Sequence, residues 1–185
     1  MVDDYAGYKS LFQSTPMREI GCWAHARRKF FELHEANKST LAAEALTRIG
    51  ALYEIEREAK TMTADARHAH RQEHARPKVD ALFAWLDALR PSINGGSASA
   101  KAVDYLLRRK PAFTAYLDDG RFPIDNNPVE NTIRPVALGR KNWLFAGSLL
   151  AGQRAANVMS LIQTARASGH DPHAYLRDVL TRLPT

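Results

Sequence analysis

Residues 41–59 read LAAEALTRIGALYEIEREA and residues 79–89 read VDALFAWLDAL. In the first run Leu41, Ala45, Leu46, Ile49, Leu52, Tyr53, Ile55 and Ala59 recur at the three- and four-residue spacing of one helical face. In the second, Val79, Leu82, Phe83, Leu86 and Leu89 do the same, and Pro91 closes the run. Working outward, Asn94-Gly95-Gly96-Ser97 is a break, and residues 98–109 give a further helix before Pro111. Phe113, Tyr116 and Leu117 mark a short helix ended by Asp119-Gly120. Residues 40–118 therefore read as one helical block with no strand in it.

The flanks read differently. Met1-Val2-Asp3-Asp4 looks like the end of a strand, followed by a short helix over residues 5–12 with Asp3 or Asp4 as its N-cap. Residues 18–23 suit a short strand, and the pattern turns helical from Ala24. Beyond the block, Asn127 is a good N-cap with Pro128 at the first helical position, which puts Glu130 in the first turn, near the positive end of the helix dipole. Residues 142–147 suit a short apolar strand or buried turn, residues 151–167 a helix stopped by Gly169, and Asp171-Pro172 opens a last helix to about Leu183. The expected fold class is mainly α with a few short strands. It divides into residues 1–36, the helical block 37–120, and 121–185 with the glutamate helix and a basic C-terminal helical region.

Composition narrows the function classes. At 185 residues with 45% hydrophobic and 25% charged side chains, the chain can bury a core, which excludes wholesale disorder. No run approaches the roughly 18 apolar residues of a membrane span. One cysteine, Cys22, excludes an internal disulfide framework. Asp3, Asp4, Lys9 and Arg18 interrupt the first twenty residues, so no signal peptide is read and a cytoplasmic location is expected. The net charge of +6 is concentrated: residues 131–185 hold seven Lys and Arg against Asp171 and Asp178, a balance of +5. Such one-sided charge suits an anionic partner such as nucleic acid.

The most informative stretch runs from Asp125 to Pro135, DNNPVENTIRP. One reading is a capped helix start with a solvated glutamate. The other takes account of the amide and cationic groups around Glu130, namely Asn126, Asn127, Asn131 and Arg134, with Gly139-Arg140-Lys141-Asn142-Trp143 close behind. A carboxylate in such company suits a metal ligand beside a phosphodiester. Trp143 with Arg140 and Lys141 would stack a base or belong to a buried strand. Cys22-x-x-His25 lacks the second pair a zinc site needs, and His70 and His74 around Glu73 lack the metalloprotease order, in which Glu directly follows the first His.

Taken together, the blocks resemble the insertion sequence 66 transposases, members of the DDE superfamily. The resemblance is carried by residues 3–8 (DDYAGY), 21–30 (GCWAHARRKF), the Asp125 to Pro135 segment continuing to Ser148, and 171–176 (DPHAYL), in family order and across essentially the whole chain. It implies a partial ribonuclease-H-like α/β core at the N-terminus, with the helical block as an all-helical insertion. It implies that Asp3 is the second catalytic aspartate and Glu130 the catalytic glutamate, both metal-binding, with Mg²⁺ or Mn²⁺ as the cofactor. Such chemistry cleaves and joins DNA strands with two divalent ions about 3.5–4 Å apart. Arg134, Arg140 and Lys141, with His25, Arg27 and Arg28, would contact DNA. The implied partners are transposon ends and target DNA, with a homo-oligomer in the full-length protein, a nucleoid-associated location and no membrane. The family's first catalytic aspartate lies upstream of the motif that begins at Asp3, so this chain alone is expected to be inactive. The alternative is a non-catalytic DNA-binding or oligomerisation module from a truncated transposase reading frame.

Overall fold

The computed structural model describes residues 17–143 and 146–183. The apolar stripes become helices where polar caps start them. Helix α1 (Trp23–Asn37) is followed by α2 (Thr40–Glu58), α3 (Ala64–His70), α4 (Arg76–Leu89), α5 (Ala98–Leu107) and the short α6 (Lys110–Thr114). Ser39, Thr63 and Ser97 precede α2, α3 and α5, and each side chain accepts a backbone N–H three residues on, at 3.1–3.3 Å. Caps of this kind contribute about 1 kcal/mol each. Between α3 and α4 the chain makes one π-helical turn, Arg71–Ala75.

These helices belong to a compact unit, Met1–Asn127, with a single core. Helix α1 packs on α2 and α5, and α4 packs on α2 and α5. Trp23 sits at the centre, fully buried, with its ring edge-on to Phe113 (5.1 Å between centroids), Phe83 (6.4 Å) and Tyr116 (6.4 Å). Its indole N–H donates to the Phe113 carbonyl at 3.1 Å, so the one polar atom of the ring is satisfied. Gly120 is a true close approach, because a Cβ there would lie 1.9 Å from the Ala64 carbonyl oxygen.

The expected strands are absent among the described residues, and with them the partial ribonuclease-H-like α/β core: the described chain is all-helical. Gly21 forms a single-residue β-bridge, and among the described residues no second strand lengthens it into a ladder. A strand needs a second strand to satisfy its backbone. Residues 17–22 instead lie extended along a helical body, where the Gly21 N–H donates to the Ala112 carbonyl at 2.9 Å. Glu19 and Arg18 pair there with Arg109 and Asp118. From Trp23 the chain is helical. At the other proposed strand, helix α7 (Asn127–Trp143) runs through Asn142 and Trp143. Asp3 and the helix expected over residues 5–12 lie outside the described residues.

The second unit, Pro128–Thr185, contains nearly all of α7, then α8 (Leu149–Ala167) and α9 (Pro172–Arg182). Helices α8 and α9 pack together across a turn at Gly169, whose φ of 76° is in the left-handed region. Asp171 caps α9, accepting from the His173 and Ala174 N–H groups at 2.7 and 3.0 Å, and those bonds hold its carboxyl below the usual range. Among the described residues of this unit only Ala165 is buried, while Val129, Ile133, Leu149, Leu150 and Leu180 are exposed.

Three surface carboxylates of the first unit make stability sensitive to acid. The Arg121 side chain beside Asp119 lowers its carboxyl to about 2, and Arg90 holds Asp104 below its ordinary value. Burial pushes Asp118 up, but its bonds to Arg18 and Arg76 outweigh that and leave it depressed. A carboxyl depressed in the folded state stabilises the fold above its unfolded pKa, and that stabilisation is lost as pH falls through the folded pKa. Urea midpoints are therefore expected to drop between about pH 4 and about pH 2. Arg90→Gln combined with Arg121→Gln should flatten this profile; an unaltered profile would show that these pairs carry no linkage.

Candidate nucleic-acid interface

The loop before α7 is tied to the helical body through named bonds. Asp125, 7% exposed, accepts from the Tyr53 hydroxyl at 3.0 Å on Oδ2, from the Asn127 N–H at 3.1 Å on Oδ1, and from the Asn127 amide Nδ2 at 2.9 Å on Oδ2. Tyr53 stands mid-way along α2, so a carboxylate in a loop is clamped from a helix 72 residues away. Burial and the Asp125 charge push the Tyr53 phenol far above its ordinary value, so it remains a donor at any working pH. Next to it the buried Cys22 thiol donates to Asn126 Oδ1 at 2.9 Å and accepts the Asn126 N–H at 3.4 Å. Burial pushes the Cys22 thiol up as well, which keeps its proton in place for that bond. The Trp23 backbone N–H donates to the Ile124 carbonyl at 3.2 Å. Residues 124–127 are thus fixed by α2 and the start of α1.

Glu130 falls in the first turn of α7 and is half-buried. Arg134 follows one turn later on the same face and is exposed, as is Arg140. Lys141 and Trp143 lie in the same helix. Asp3 is outside the described residues. His25, Arg27 and Arg28 occupy the first turns of α1, with His25 half-buried and both arginines exposed. Arg27 and Arg28 meet residues that the sequence did not single out for this role: they line a cleft of about 550 Å³ with Tyr53, Gly50 and Arg57 of α2. A glycine inside a strongly periodic helix was the available signal for that cleft.

A divalent-metal site needs several hard oxygen donors. Among the described residues no group of three or more His, Cys, Asp and Glu is placed to hold an ion. Both Asp125 oxygens are already engaged. The described residues by themselves do not fit the two-ion site that the resemblance implies.

Residues 1–154 match the family model described as "Transposase IS66 family", and residues 160–185 match the "IS66 C-terminal element". The chain belongs to the IS66 transposase family. Within the IS66 match of residues 1–154 fall the whole helical unit and α7 with Glu130. Curated relatives from Sinorhizobium fredii (strain NBRC 101917 / NGR234) include "Uncharacterized protein y4hP", 39% identical over 98% of this chain and 36% of its own length. "Uncharacterized protein y4jD" is 40% identical over 98% of this chain and 37% of its own length, and "Uncharacterized protein y4qI" is 37% identical over 98% and 35%. This IS66 chain thus spans a little over a third of the length of the curated relatives it matches. No solved structure matches it.

Proposed function

We propose that this chain is the glutamate-bearing, DNA-engaging part of an insertion-element transposase, with transposon ends and target DNA as its partners. One observation carries the reading: Glu130 opens a helix whose start is clamped by Asp125, with the exposed Arg134 one turn behind it. A helix N-terminus with a carboxylate and trailing cations suits a site where a metal and a phosphodiester meet. In this reading Glu130 and Asp3 would be two of the carboxylates that hold Mg²⁺ or Mn²⁺, and the ions would supply the cleavage and strand-transfer chemistry once the remaining ligands are present. Arg134, Arg140 and Lys141 hold the DNA backbone against that helix.

A second reading, a DNA-binding or oligomerisation module without chemistry of its own, is favoured by the donor count, since the described residues assemble no three-ligand group. Fluorescence anisotropy with a labelled duplex carrying an insertion-element end tests what both readings share on the DNA side. Binding should weaken steeply with salt, and Arg134→Glu combined with Arg140→Glu should lower the slope of log affinity against log salt by about 2. An unchanged slope would remove both arginines from the interface. Mn²⁺ titration followed by electron paramagnetic resonance separates the readings without requiring cleavage by this chain alone: Mn²⁺ binding lost in Glu130→Gln favours the first, and DNA binding without Mn²⁺ binding favours the second.

A further inference from the structure

We infer that the cleft between α1 and α2 seats one unpaired nucleotide of a DNA strand, its phosphate at the arginines and its base against the aromatic walls; this rests on the DNA-engaging reading above. The cleft measures about 550 Å³, within the range of small-molecule sites. Arg27, Arg28 and Arg57 stand on its rim against one carboxylate, Glu54, which pairs with Arg57. Neither Arg27 nor Arg28 is in an ion pair among the described residues, and both are exposed, so their guanidinium forks are available to an anion. Phe31 and Tyr53 supply planar faces. The Tyr53 ring is held by its hydroxyl bond to Asp125, which makes it a preorganised platform.

Gly50 is the observation that points to a ligand. It lies inside the 19-residue α2, where glycine weakens a helix relative to alanine. A Cβ built on it meets nothing within 4 Å, and its φ is not in the left-handed region, so neither packing nor backbone geometry demands glycine there. What the missing side chain preserves is room in the cleft it lines. A duplex keeps its bases stacked, so aromatic walls inside a concavity suit a base that has left the stack.

The test uses the full chain, a labelled twelve-nucleotide oligo(dT) single strand, and a duplex of the same length. Gly50→Leu should raise the urea midpoint, because it adds a better helix former, yet weaken single-strand binding about tenfold with duplex affinity nearly unchanged. Phe31→Ala, at an exposed position, should weaken single-strand binding without depending on the behaviour of α2. Single-strand affinity unaltered in both variants overturns the cleft assignment. Duplex binding without single-strand binding overturns it as well and leaves the DNA-engaging reading standing; no binding to either removes both. Thymidine monophosphate should compete only weakly, and competition as strong as that of the oligonucleotide would reassign the cleft to a free nucleotide.

Discussion

Arg71→Ala is expected to destabilise the helical unit by about 3–5 kcal/mol, the range for removing one partner of a buried ion pair. Arg71 is 1% exposed. Its Nε and Nη2 donate to the two Glu56 oxygens at 2.7 Å each, and its Nη1 donates to the Tyr116 and Asp119 carbonyls at 2.8 and 3.1 Å. The guanidinium also lies 5.0 Å from the centroid of the Tyr116 ring. One side chain thus ties α2, the π-helical turn and the segment after α6 together. Truncation strands the largely buried Glu56 carboxylate and two carbonyls, and each must find water or stay unsatisfied. Chemical denaturation followed by tryptophan fluorescence reads the loss, which would take a large share of a total stability of about 5–15 kcal/mol. Arg71→Met with Glu56→Leu should recover much of it, since it removes both charges and leaves apolar volume. A loss below about 1 kcal/mol in the single variant would mean that Arg71 is as replaceable as a surface cation.

Arg71 escapes a periodicity reading because its head meets partners 15 and 45 residues away, which local spacing does not report; it opens the π-helical turn between α3 and α4. By contrast, the stripes through Ile49 and Leu52 and through Leu82, Phe83 and Leu86 depend only on local spacing, and these side chains are buried as that spacing implies. The strand expected at residues 18–23 fails for a related reason. Residues 20–23 are all buried, as in a strand covered on both faces, but a segment docked against helices shows the same run. Only the identity of its hydrogen-bond partner, the Ala112 carbonyl, separates the two. At the candidate site the sequence marks Glu130 and its cations through turn chemistry and charge. It does not mark Tyr53, Arg57 or Gly50 in the first unit, whose cleft comes from the packing of α1 beside α2.

Asp125→Ala is expected to cost about 3 kcal/mol, since it removes three bonds to one carboxylate that is nearly out of solvent. Its second effect is local: Asn127, the first residue of α7, loses the acceptors for both its backbone N–H and its side-chain amide, so the turn that leads into Glu130 frays. Amide hydrogen exchange at Asn127 should accelerate more than exchange in the middle of α4. Asp125→Asn should fall between wild type and alanine, because its oxygen still accepts from the Asn127 N–H while its amide faces another amide donor. Tyr53→Phe should cost about 1 kcal/mol and show that much coupling to Asp125→Ala in a double-mutant cycle. These outcomes distinguish an anchor from a ligand. A carboxylate serving only as a metal ligand would tolerate alanine without loss of stability, and its asparagine and alanine variants would be equally defective in function. Full stability in Asp125→Ala, with unaltered exchange at Asn127, would therefore free Asp125 from the anchoring role.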